Sequence, residues 1–279
     1  AYGTDALRTT FCALASTSRD INFDLGRVEG YRNYCNKLWN AARYVLMNTE
    51  GEDCGKDNND FELSIADRWI ISRLQNTITA FEKHIGEYRF DLATQVLYEF
   101  SRNDYCDWYL ELSKPILYND GSNEQQKRGT RHTLINVLET MMRLLHPMIP
   151  FITEEIWQRL APMVNTSTDS IMIAPFPVYD ESLIDTKALN DLDWLQKLIV
   201  GIRNIRGELN VSPAKPINVL LKNVNENDQR CLTEYRNFVS ALAKLESIEE
   251  AGSEVPPAST ALAGNLEAVS YTNLRAHET

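Results

Sequence analysis

The chain has 279 residues, enough for one large domain or two ordinary ones, and 43% of them are hydrophobic, so a real core is within reach. A formal net charge of −11 excludes a generic polyanion binder, and any nucleic-acid contact must come from local basic patches on an acidic body. No apolar run reaches membrane-spanning length and no signal-peptide pattern opens the chain.

The first residues, "AYGTDALRTTFCALAST", open directly on a helix without an initiator Met. Thr4 or Asp5 is placed to cap it, and Leu7, Phe11 and Leu14 recur at i, i+4, i+7. This start reads as a chain cut out of something longer. Residues 28–48 form the next helix, and the loop "NTEGEDCGKDNNDFE" follows. "SIAD" begins another helix with a capping box, Ser64 with Asp67, running to about Glu82 with Ile70, Leu74, Ile78 and Phe81 on one side. Asp91 caps a third long helix to about Lys114, in which Leu97, Phe100, Trp108 and Leu112 share a face. After the turn-rich "PILYNDGSNEQQ", a fourth covers roughly 124–146 with Leu134, Val137, Leu138, Met141 and Leu145 at helical spacing. Pro147 and Pro150 end it, and "TEEIWQRLA" (153–161) is a short helix with acids in its first turn.

Four long amphipathic helices on short connections predict a helical bundle. After "APFPVYD" the texture changes: a helix over 186–208, an alternating strand "PINVLLK" (216–222), a helix over about 226–244, and "ESIEE" as a short closing strand. The fold class expected is therefore mainly α, a helical bundle followed by a small α-β-α-β unit. "AGSEVPPAST" is read as a linker, and "VSYTNLRAHET" (269–279) as a foreign, adapter-derived tail that takes no part in the fold, so His277 is set aside.

Chemistry-bearing motifs are sparse. There is no Gly-rich phosphate loop, no metal-ligand spacing and no nucleophile elbow, so no catalytic residue and no metal site are assigned. Five cysteines (Cys12, Cys35, Cys54, Cys106, Cys231) with neither CxxC spacing nor a disulfide framework read as reduced thiols of a cytoplasmic protein. "HIGE" (84–87) sits at a helix end with no strand before it and is set aside, and His132 and His146 are given capping or surface roles.

The informative stretch is "GYRNYCNKLWNAARYVL" (30–46), a helix with three asparagines although asparagine is a mediocre helix former. Cys35, Leu38, Ala42 and Val45 make its buried stripe. A separate face carries Asn33, Asn36, Lys37, Asn40, Arg43 and Tyr44, stacked a turn apart, with Arg32 beside it. Amides, cations and an aromatic ring are the set that reads single-stranded RNA: cations hold phosphate, amides meet base edges, a ring takes a splayed base. The competing reading is a solvated face with some amides bonded to neighbouring helices.

Resemblance bears on that choice. "RVEGYRNYCNKLWNAARYVLMNTE", "ADRWIISRL", "YCDWYLELSKP", "LLHPMIPFITEEIWQRL" and "IRNIRGELNVSPAKP" resemble, in order, the region after the catalytic domain of bacterial-type valyl-tRNA synthetases. "HPMIPFITEEIWQ" is shared across the class Ia synthetases, whereas "NKLWNAARYV" and "IRNIRGELNVSPAKP" point to the valine enzyme. The resemblance spans 1–268 and implies a tail of the catalytic region at 1–20, an α-helical anticodon-binding bundle of the class Ia type at 21–177, and a small α/β unit with linker at 178–268. It implies that Lys37, Arg43 and Tyr44 lie toward the anticodon, with Arg32, Asn33, Asn36 and Asn40 as their neighbours. It further implies tRNA-Val as partner through its anticodon stem-loop, a monomer, and ATP and Mg²⁺ as needs of a parent catalytic domain rather than of this chain. The partner domains it lacks would be the catalytic, editing and coiled-coil ones, so no aminoacylation is expected from this polypeptide alone. An isoleucyl-type synthetase fragment and a helical protein-interaction scaffold are the alternatives.

Overall fold

The computed structural model describes residues 2–16, 20, 22–55, 60–119, 121–164, 166, 168–250, 259–263 and 266–270. Two compact units divide the chain, Ala1–Ala188 and Leu189–Thr279.

The first unit is a bundle of long helices. Those helices are α1 (Thr4–Leu14), α2 (Leu25–Thr49), α3 (Ile65–Gly86), α4 (Phe90–Glu99) running through a π-helical stretch (Phe100–Tyr109) into α5 (Leu110–Leu117), α6 (Glu124–Leu145) and α7 (Pro150–Leu160). The expected capping box is present: Ser64 Oγ accepts from Asp67 N at 3.2 Å while Asp67 Oδ2 accepts from Ser64 N at 2.8 Å. Asp67 is fully buried and also accepts from Tyr109 Oη at 2.6 Å and Thr130 Oγ1 at 3.0 Å, so one carboxylate ties the start of α3 to the π segment and α6. Burial raises its pKa despite these donors.

Three expectations about this unit are corrected. Thr4 and Asp5 do not cap their own helix, whose N-cap is Gly3. Asp5 instead accepts from the amides of Phe151 (3.2 Å) and Ile152 (2.8 Å), capping α7 from 146 residues away, where Pro150 already dispenses with one donor. The Leu7–Phe11 stripe of α1 is exposed, and Ala6, Thr9 and Thr10 are buried in its place. The face expected on the third helix drifts after Phe100. Tyr105 and Tyr109 are buried and Trp108 only partly, because i→i+5 turns such as Leu110 N to Tyr105 O step the inward position wider than the α period.

The unit boundary falls at 188/189 rather than 177/178. Residues 180–185 are held on α3: Gln75 Oε1 accepts from Asp180 N at 2.9 Å, Ser72 Oγ accepts from Asp185 N at 2.8 Å, and Arg68 pairs with Asp185 at 3.0 Å. "HIGE" closes α3, as the helical reading requires. His132 bonds Cys54 O at 3.0 Å and packs on Phe61, and His146 bonds Thr153 Oγ1 at 2.8 Å; burial lowers the pKa of both, in keeping with structural roles.

Gly129 marks a close approach of α6 to the chain just before α3. A Cβ there would stand 2.1 Å from Glu62 O, a backbone atom that cannot swing aside. Gly129→Ala should therefore destabilise the protein by about 3 kcal/mol, at the upper end of ordinary overpacking. Gly30→Ala, where a Cβ meets nothing within 4 Å on helix α2, should stabilise by about 0.5–1 kcal/mol. Urea midpoints for the two variants moving in the same direction would contradict this reading.

The second unit contains α8 (Thr186–Glu208, whose first turn belongs to the first unit), β1 (Ile217–Lys222), α9 (Glu226–Ala243) and β2 (Leu245–Glu250), matching the expected α-β-α-β order. Ile217, Val219 and Leu221 face inward, as their alternation predicts. β1 and β2 are parallel across α9. Two further strands, β3 (Ser259–Ala263) and β4 (Leu266–Ser270), form an antiparallel hairpin whose β4 joins β1, giving the order β2-β1-β4-β3. The sequence reading missed both and ended the fold before them. Residues 251–258 of its linker lie outside the described residues, but Ser259 and Thr260 open β3. Likewise the tail expected to take no part contributes Val269, buried and paired with Leu220, and Ser270, paired with Ser259. Residues 271–279, His277 included, lie outside the described residues.

Within this unit a buried carboxylate clamps α8 to α9. Asp191 accepts from Arg230 at 2.6 and 3.0 Å and from Tyr235 Oη at 2.7 Å. Trp194 Nε1 donates to Asp228, itself half of a capping box with Asn225.

Candidate nucleic-acid interface

Helix α2 begins at Asp24, whose side chain accepts from Gly26 N, and buries Val28, Tyr34, Leu38, Ala41, Ala42, Val45 and Leu46 against the bundle. Cys35, expected in that stripe, is only half-buried. The opposite face carries Asn33, Asn36, Asn40 and Arg43, all exposed in one row. At 1.5 Å per residue the row extends about 15 Å along the axis.

These amides do not bridge helices. What an inward amide does is seen at Asn48 and Asn136, which donate to the carbonyls four residues earlier at 2.8 Å. Among the described residues Asn36, Asn40 and Arg43 have no side-chain partner, and Asn33 only accepts a long 3.5 Å contact from Arg32. A helix gains little from three such asparagines, since their short amides compete with its own backbone.

The other predicted residues are engaged. Lys37 leans onto the π segment and pairs with Asp107. Tyr44 is half-buried against α5, its hydroxyl 2.9 Å from Ser113 Oγ and its ring beneath Lys114, whose ammonium lies 5.9 Å from the centroid. Burial raises the Tyr44 phenol well above its ordinary pKa, so it stays neutral. Arg32 is turned away, donating to Glu29 at 3.1 Å and covering Tyr2 at 5.5 Å. The face is thus less cationic than its sequence: Lys37 and Lys114 face Asp107 and Glu111, and among the described residues the charge of Arg43 is unpaired. What the row offers is chiefly amide donors and acceptors for base edges, with one cation uncompensated among the described residues.

Sequence reasoning missed the opposite bank of this surface. Asp107, Lys114 and exposed Tyr118 come from a segment some 70 residues later, and Met47, 81% exposed, continues the α2 row. The only signal for the former was the mixed charge and aromatic run "YCDWYLELSK". Among the described residues no three His, Cys, Asp or Glu side chains gather so as to hold a metal ion, and no helix is long and apolar enough to cross a membrane.

Comparison with known proteins bears on the bundle that carries this face. Residues 67–221, more than half of the chain, match the family model described as the anticodon-binding domain of tRNA ligase. The match begins inside α3, so α2 with its asparagine row precedes it. Among solved structures the chain is similar to the LeuRS in a ternary LeuRS-tRNA-LeuAMS complex from Agrobacterium radiobacter K84, at 16% identity and a TM-score of 0.48. That similarity covers 91% of this chain and 29% of the other.

Proposed function

Because the chain belongs to the family of anticodon-binding domains of tRNA ligases, we propose that its bundle holds the anticodon stem-loop of tRNA-Val, with the outer face of α2 against the loop. The observation that carries the placement is the exposed row Asn33–Asn36–Asn40–Arg43, whose polar groups are left for something outside the described residues. Splayed loop bases present hydrogen-bonding edges that amides satisfy in pairs, and Arg43 meets a phosphate. Tyr44, held by Ser113, presents a fixed ring edge beside them, and Lys37 reaches RNA by giving up part of its pairing with Asp107. The valine assignment rests on the resemblance of "NKLWNAARYV" and "IRNIRGELNVSPAKP" to valine enzymes.

On this reading the chain contributes recognition, and the joining of valine to tRNA, with ATP and Mg²⁺, is the work of a catalytic domain outside it. The parent would be a cytoplasmic, monomeric ligase.

The test is filter binding of tRNA-Val, tRNA-Ile and tRNA-Leu transcripts at several salt concentrations. The tRNA-Val transcript should be retained best, and exchanging its anticodon should remove the preference. Arg43→Glu should weaken binding and flatten the log–log salt slope by roughly 0.7 for one single-strand phosphate contact. Asn40→Ala should instead narrow the preference among anticodons with the slope unchanged, because an amide releases no counterion. Equal retention of all three tRNAs would remove the valine assignment; parent-like binding by both variants would remove α2 from the interface.

A further inference from the structure

The second unit contains a groove of about 750 Å³ between the end of α8, the 209–213 turn and the end of α9. Its apolar lining is Val211, Pro213 and Leu242, Arg203, Arg206 and Lys244 supply charge, and among the described residues no carboxylate lines it. In a chain of net charge −11 this is an exception. Two helices end at the groove, and their C-termini together bring roughly one negative charge. Arg203, Arg206 and Lys244 oppose that charge.

Lys244 is the informative residue. It follows the last residue of α9 with φ +53°, a left-handed conformation that costs an L-residue about 1–2 kcal/mol and is usually given to glycine at this position. Its ammonium has no partner among the described residues, so the side chain returns nothing to the fold for that strain. Arg206, by contrast, is buried and spends its N–H groups on backbone carbonyls. Arg203 is exposed at the rim, where Nη2 reaches Leu242 O at 3.3 Å.

We propose that this groove is a second RNA site, in which Lys244 and Arg203 hold phosphate and a ribose or base lies on the Val211–Pro213–Leu242 floor. The proposal rests on the tRNA-binding reading above. An RNA strand alternates anions with flat, largely apolar faces, which is the alternation of this groove, and an acidic peptide offers only the first.

Lys244→Gly separates function from folding, because glycine relieves the positive φ while removing the ammonium. In the full chain it should melt at the parent's temperature or above. Its half-saturating concentration for the tRNA-Val transcript should rise several-fold, with a salt slope shallower by roughly 0.7. Arg203→Ala should behave likewise in binding, and Lys244→Arg should restore both affinity and slope. A tRNA carrying 4-thiouridine should cross-link on irradiation to peptides containing 203–213 or 242–244. If both variants bind like the parent and no cross-link maps there, the groove is not an RNA site, and the α2 interface stands untouched. Weaker binding with an unchanged slope would also overturn the proposal, since no phosphate contact was lost. If the parent chain binds no tRNA at all, the functional reading falls and this proposal with it.

Discussion

Glu139→Ala should destabilise the first unit by about 3–5 kcal/mol, the range for removing one partner of a buried charge pair. Glu139 lies buried on α6, where it accepts the indole N–H of Trp157 at 2.8 Å and both ends of the Arg143 guanidinium at 2.8 Å. Trp157 is a fully buried side chain of α7. Alanine would leave its N–H without an acceptor and, among the described residues, Arg143 with only Pro175 O and Thr140 as partners. Glu139→Gln keeps an acceptor for the indole and should cost markedly less. Urea unfolding followed by tryptophan fluorescence measures both, and parent-like midpoints for alanine and glutamine alike would show that the network contributes nothing to stability.

A loss of similar size is expected for Arg206→Met in the second unit. The Arg206 side chain, buried on α8, donates to the carbonyls of Ser212 (3.3 Å), Lys215 (2.7 Å), Ala243 (2.8 Å) and Lys244 (2.5 Å). It therefore fastens the end of α9 and the turn before β1 to α8, satisfying carbonyls that helix ends leave open. Methionine fills the volume but donates nothing. With hydrogen bonds to a charged group at about 1.5–3 kcal/mol each, losing even two costs about 3–6 kcal/mol. Lysine should fail as well, because a single ammonium cannot reach carbonyls spread around a planar fork. Limited proteolysis should reveal new cleavage within 209–250 for both variants. A parent-like digestion pattern for Arg206→Lys would show that charge alone suffices.

The positions of the helices were legible because each is written in a few turns of its own sequence. Ser64 and Asp67 announce α3, and the leucines and methionines of α6 repeat at the helical period. β1 was legible for the same reason, its alternation being local. The strands β3 and β4 were not: "STALA" and "LEAVS" are short, and β4 becomes a strand by pairing with β1, about 49 residues earlier at Leu220 and Val269, while β3 becomes one by pairing with β4.

The candidate interface divides along the same line. The helical period of α2 was enough to put Asn33, Asn36, Asn40 and Arg43 on one face, since a helix fixes which residues share a side. It took the packing of the helices to bring Lys37 to Asp107, to pin Tyr44 with Ser113, and to make Asp5 cap α7 rather than α1. Each of these joins residues 69 to 147 positions apart. Such pairs are set by how the helices pack and by the wide turns of the π segment, which rotate its charged face toward α2, and no period in the chain encodes them.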